Sequence, residues 1–142
     1  MKALLTVSTA VLMVGCATQP RFVKAYSGQE VPHEQVALLK PTHAVVIESI
    51  DGAFARDTRT ALALTSVEIE VALLPGQHVV IAGYDNGYAG STRPIELKFE
   101  ARAGHRYLLR RNAQGGQWNP EIIDVTGREE CWNMGTMLND PC

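Results

Sequence analysis

Residues 95–111 read IELKFEARAGHRYLLRR. Ile95, Leu97, Phe99 and Ala101 alternate with Glu96, Lys98, Glu100 and Arg102, the period of two expected of a strand with one buried face. Arg102, Ala103 and Gly104 then separate this run from a second one, 105–111. A three-residue link ending in Gly suits a type I turn followed by a G1 bulge. The spacing predicts a hairpin in which position 101 pairs with 105. Phe99 would then meet Tyr107 and Leu97 would meet Leu109 on the buried face. Glu100 would meet Arg106, and Glu96 would meet Arg110, on the wet face. A slip of one residue would lose both sets of pairs.

The same alternation extends outward from this segment. Val67, Ile69, Val71 and Leu73 share one side of a run, with Glu68, Glu70 and Ala72 on the other. Pro75-Gly76 follows, then HVVIAGY at 78–84. Pairing 73 with 78 would place Val71 opposite Val80 and Val67 opposite Tyr84. Further strands are expected at 44–50 (AVVIESI) and 121–126 (EIIDVT), with an edge strand at 22–26 (FVKAY). Asp51-Gly52 marks another reversal. HEQVALLK at 33–40 is the best helical candidate and reads equally well as a strand. Short strands with frequent turn signals define an all-β fold, a single antiparallel β-sandwich or small barrel with at most one short helix.

The chain has 142 residues, of which 46% are hydrophobic and 20% charged, with a formal net charge of −2. That length suits one domain. The balance excludes a strongly basic nucleic-acid binder, an acidic disordered tail and a multi-span membrane protein.

Lys2 is followed by an apolar stretch from Ala3 to Gly15, shorter than the roughly 17–25 residues of a spanning helix. It has the length and flanks of a secretory leader. It ends in LMVGCA at 12–17, which resembles a bacterial lipobox, with small residues before an obligatory cysteine. Met13 stands where leucine is usual. An ordinary secreted protein with a buried Cys16 is the competing reading. The resemblance implies cleavage after Gly15 and acylation of Cys16. Three acyl chains would make the anchoring permanent, since two already suffice. Ala17, where retained lipoproteins carry Asp, implies the outer membrane of a Gram-negative cell. The expected organisation is a leader at 1–15, a lipidated tether at 16–21, a β domain at 22–127 and a C-terminal tail at 128–142.

Acylation of Cys16 would leave Cys131 and Cys142 as an even pair, free to form a disulfide in an oxidising envelope. The bridge would close a loop of about 12 residues and contribute roughly 2–3 kcal/mol. A metal or redox pair is the rival reading. The ten intervening residues and the lack of a nearby His weigh against it.

VALLK at 36–40, SIDG at 49–52, LLPGQHVV at 73–80, FEARAGHRYLL at 99–109 and WNPEIIDVTG at 118–127 together resemble a group of small Gram-negative lipoproteins with a lipobox and a compact β domain. The LPG-x-H stretch before a strand is also similar to PEGA-type surface modules. These motifs are turn and strand signals. They imply a fold and assign no functional residue.

The four histidines, His33, His43, His78 and His105, form no spaced metal motif. If the strands from 67 to 111 ran as a meander, His78 and His105 would approach each other at one rim. They would act there either as capping residues or as a two-His metal or pH-sensitive site. Asp51 with Asp57, and Glu68 with Glu70, are possible carboxylate pairs; Glu68 and Glu70 read most simply as a solvated edge. No nucleophile motif is present, so no enzyme activity and no cofactor are expected. The loop YDNGYAGSTRP at 84–94 offers Tyr84, Asp85, Asn86, Tyr88 and Arg93. With Trp118, these would suit a glycan or peptide contact, or would form a plain polar connection. Trp118 and Trp132 otherwise read as core or as cover for the disulfide. Arg102, Arg106, Arg110 and Arg111 form a stripe expected to pair in part with Glu96 and Glu100. The function expected is that of an outer-membrane lipoprotein, facing the periplasm, with a non-catalytic β domain that binds an envelope protein or glycan. The alternative is an accessory subunit of an envelope assembly. No nucleic-acid partner is expected.

Overall fold

A computed structural model describes residues 21–52, 69–85, 93–112, 118–134 and 142. Eight strands are formed: β1 (Arg21–Lys24), β2 (Ala37–Pro41), β3 (Val45–Ile50), β4 (Ile69–Leu73), β5 (Gly76–Tyr84), β6 (Ile95–Ala101), β7 (Arg106–Arg111) and β8 (Pro120–Asp124). A single-turn 3-10 segment at His33–Gln35 and one helix, α1 (Glu129–Met134), complete the described elements. The alternation of apolar and polar residues therefore marked the strands correctly. HEQVALLK splits into the 3-10 turn and β2.

The strands form two sheets, β1-β4-β2-β7-β8 and β3-β5-β6. The larger sheet is mixed, because β1–β4 and β2–β7 are parallel pairs. The main core lies between the sheets. Ala37, Leu39, Val71, Leu73, Tyr107 and Leu109 of the larger sheet face Val45, Ile47, Ile50, Val80, Ala82 and Ala101 of the smaller one. A bulge between Ile47 and Ser49 lets both Ile47 and Ile50 reach this core, although they lie three positions apart.

The two expected hairpins are not formed. β6 pairs with β5, and β7 pairs with β2 and β8. Likewise β4 pairs with β1 and β2, while β5 pairs with β3 and β6. Each short connection is an arch from one sheet to the other. The turn itself is as expected: Gly104 has φ 73°, and the His105 N–H donates to the Arg102 carbonyl at 3.1 Å. After it, β7 crosses the core and lies opposite β6. Phe99 and Tyr107 do meet, edge to face at 5.2 Å between ring centroids, but across the core and not side by side. The Tyr107 hydroxyl closes the arch, accepting the Arg102 N–H at 3.1 Å and donating to the Glu100 carbonyl at 3.4 Å.

The expected charge pairs change with the topology. Arg106 pairs with Glu129, Arg110 pairs with Glu121 at 2.8 Å, and Glu96 pairs with Lys98 of its own strand at 3.4 Å. Nor is Glu70 a solvated edge residue. It stands inside the larger sheet between β1 and β2 and is 6% exposed. Asp57 and Glu68 lie outside the described residues.

A second, smaller core covers the outer face of the larger sheet. Val36, Leu38, Ala72, Leu108 and Val125 are covered there by Cys131 and Trp132 of α1. Lys40, 1% exposed, lies in this layer, where its ammonium donates to the Trp132 carbonyl at 2.9 Å and sits 5.3 Å from the indole centroid. Arg106 lies 5.4 Å from the same ring. A disulfide joins Cys131 to Cys142, with Cα atoms 5.7 Å apart. The C-terminal segment is therefore the lid of a core and holds a buried ammonium.

Two measurements test this arrangement. Replacing Cys131 and Cys142 by Ser should lower unfolding free energy by at least roughly 2–3 kcal/mol in urea titration. It should also raise Trp132 exposure to acrylamide while the far-ultraviolet β signal persists. Glu100→Lys should change stability by less than about 0.5 kcal/mol, because in the arch Arg106 pairs elsewhere. Glu121→Lys, opposite Arg110, should be clearly destabilising. The reverse order would restore the hairpin.

Candidate functional site

The register places different side chains at the two ends of the sandwich. β5 runs from Gly76 to Tyr84 with β6 and β3 antiparallel to it, so Asp51, His78 and Ala101 share one end, while Val45, Tyr84 and Ile95 share the other. β7 places Arg106 at the first end and Arg111 at the second, with β8 returning from Pro120 to Asp124.

At the first end, Asp51 occupies a tight reversal with φ 50°, followed by Gly52 at 75°. Both are left-handed values, which Asp tolerates and Gly favours. The turn aims the Asp51 carboxylate back at β5. One oxygen accepts the Val79 N–H at 2.8 Å, and the other lies 2.6 Å from His78 Nδ1. His78 Nε2 lies 2.7 Å from the Leu74 carbonyl. Both ring nitrogens thus face acceptors, and a ring carrying both N–H protons pairs both of them. Burial raises the Asp51 pKa, but the Val79 N–H and the His78 ring outweigh it, and the carboxyl sits below its ordinary value.

His105 has its own carboxylate. Its Nδ1 lies 2.7 Å from Asp124, whose other oxygen accepts both the N–H and the hydroxyl of Thr126. Burial again raises the Asp124 pKa. The Thr126 hydroxyl, His105 and the Thr126 N–H together bring it below the ordinary value.

The two histidines do not form the rim pair that a meander predicts. Phe99 and Tyr107 stand between them in a row of four rings, with centroid steps of 6.0 Å from His78 to Phe99, 5.2 Å to Tyr107 and 6.2 Å to His105. Among the described residues, no group of three or more His, Cys, Asp or Glu side chains is placed to hold a metal. The row of rings, with a carboxylate at each end, gives this end two hydrogen-bonded Asp–His corners over an apolar centre.

At the second end, Tyr84 and Trp118, which the sequence offered as possible binding residues, do come together. Their ring centroids are 5.5 Å apart, and Arg111 lies 5.9 Å from the Tyr84 ring. The indole N–H of Trp118 is buried and finds no hydrogen-bond partner among the described residues. Asp85 is exposed, and its N–H donates to the Ala44 carbonyl at 2.9 Å. Asn86 and Tyr88 lie outside the described residues, as does Cys16.

Sequence reasoning passed over Asp124, read Arg111 only as one of an arginine stripe, and read Asp51 as a turn residue or as a carboxylate partner of Asp57. Asp124-Val125-Thr126 carried a usable signal, since Asp with Thr two residues on favours an Asx turn. Nothing in the sequence marked Arg111 as the partner of Tyr84.

The depressed carboxyls make an acid-stability prediction. A carboxyl whose folded pKa lies below 3.8 contributes stability fully above that value and loses it as pH falls through the folded pKa. The double variant Asp51→Asn, Asp124→Asn should therefore be less stable than the parent at neutral pH. The difference should shrink between about pH 4 and pH 2, as measured by urea titration across pH. A pH-independent difference would assign the loss to other contacts. In comparisons with known proteins, no family model, no curated protein and no solved structure matches the chain.

Proposed function

We propose that the chain is a lipoprotein anchored in the outer membrane through Cys16, with a non-catalytic β domain that serves as a binding module on the periplasmic side. The observation that carries this reading is the sequence VGC at 14–16, closing an apolar leader four residues short of β1. An acylated Cys16 would connect almost directly to a folded strand, with no long linker between membrane and domain. The disulfide agrees with an oxidising compartment. A binding role fits the way the polar groups are used. The second nitrogen of His78 is taken by a backbone carbonyl, so this Asp–His pair has no nucleophile to activate.

Cells fed radiolabelled palmitate should label the parent protein, and Cys16→Ser should abolish the label and retain the leader. An unlabelled parent, or a labelled Cys16→Ser protein, would remove the anchor. Gentle cross-linking of the native lipidated form, followed by purification, then separates two roles. A stoichiometric protein partner makes the chain an assembly subunit. Release of a glycan or peptide from a partner-free protein makes it a ligand binder.

A further inference from the structure

The chain enters the fold at a definite end. β1 pairs parallel to β4 with Arg21 beside Ile69, and β4 runs antiparallel to β2, with Leu73 beside Ala37. β2 in turn runs parallel to β7. Arg21 and Ile69 therefore lie at the same end as Pro41, Arg111 and Tyr84. Five residue steps separate Cys16 from Arg21, a span of at most about 18 Å when fully extended. Resting on the anchored reading above, the membrane must lie within that reach of the Tyr84 end. The Asp51–His78 and His105–Asp124 pairs lie at the far end.

The side chains at the near end suit a lipid headgroup layer. Tyr84 and Trp118, each half-buried and with Trp118 also resting on the main core, pack together there, and tyrosine and tryptophan favour the boundary between hydrocarbon and water. Arg111 and Arg93 are exposed and cationic, alongside exposed His43 and Asp85. Arg110 is neutralised by Glu121, and Glu96 by Lys98. Phe22, six residues after Cys16, is 49% exposed on the outer face of the larger sheet. Leu74, at 40% the other exposed large hydrophobic residue described, lies at the far end.

We infer that the Tyr84 end, with Trp118, Arg93, Arg111 and the adjoining Phe22, is a phospholipid-headgroup contact surface. The aromatic pair and arginines hold the domain upright on its own membrane. The end carrying the two Asp–His pairs is then presented outward. This assigns Tyr84 and Trp118 to lipid in place of a glycan or peptide.

The native lipidated protein, reconstituted in vesicles of phosphatidylethanolamine and phosphatidylglycerol, tests this with a phosphatidylethanolamine bearing a photoreactive headgroup. Peptide mass mapping should place the label on segments carrying Phe22, Arg93, Arg111 and Trp118, and not on those carrying Asp51, His78 or Asp124. Arg93→Gln and Arg111→Gln, both at exposed positions, should lower the label by up to about fivefold each. Equal labelling of both ends, labelling of the far end, or an unlabelled domain overturns the inference. The mass of the N-terminal peptide, read in the same sample, separates the two claims. With Cys16 acylated, such a result removes the orientation alone. A Cys16 found unmodified removes the anchor and the orientation with it.

Discussion

The architecture depends on the contact between Phe99 and Tyr107 across the core and on the hydroxyl that closes the arch beneath it. β6 and β7 are separated by four residues, the distance at which two strands ordinarily pair with each other. Here the Tyr107 phenol takes the Arg102 N–H and reaches the Glu100 carbonyl, supplying hydrogen bonds at the point where the chain leaves one sheet for the other. β7 is then free to pair with β2 on one side and β8 on the other, and β6 with β5. The chain also crosses from one sheet to the other at Leu74-Pro75 between β4 and β5, and at Thr42–Ala44 between β2 and β3. There Ala44 adopts φ 63°, and Val45 N–H returns to the Thr42 carbonyl. Repeated arches put consecutive strands on opposite sides of one core, so that core is built mostly from strand pairs distant in sequence.

The second core has a different logic. The outer face of a five-stranded sheet carries Leu38, Ala72 and Leu108, which need cover. A six-residue helix is too short to be stable by itself, and the Cys131–Cys142 bridge fixes the segment that contains it. Trp132 then carries two cations near its ring, Lys40 at 5.3 Å and Arg106 at 5.4 Å from the centroid. The Lys40 ammonium donates to the helix carbonyl of Trp132, so the lid also gives a partner to the buried charge in the sheet beneath it.

The two ends of the sandwich divide the remaining chemistry. One end pairs each histidine with a carboxylate positioned by a turn, Asp51 by its left-handed backbone and Asp124 by its Asx turn with Thr126. The other gathers Tyr84, Trp118 and Arg111 near the point where the chain enters. Anchoring at Cys16 would give these ends unequal roles, since a tether of a few residues leaves the domain little freedom to turn over.

By itself the sequence determined the elements. Alternation at 95–101 and the turn residues Gly104 and Asp51-Gly52 identified strands and reversals, and the paired cysteines identified the bridge, because each of these signals is local. It brought forward Tyr84 and Trp118 but could not say that they touch, it saw Arg111 only as one of an arginine stripe, and it passed over Asp124. Only the tertiary structure decided which strands are neighbours. A hairpin and an arch place the same residues inward, so the parity of Phe99 and Tyr107 is identical in both. The choice between them is made by contacts with β2, β5 and β8, far away along the chain. The partners of His78, His105, Lys40 and Arg106 follow from that choice.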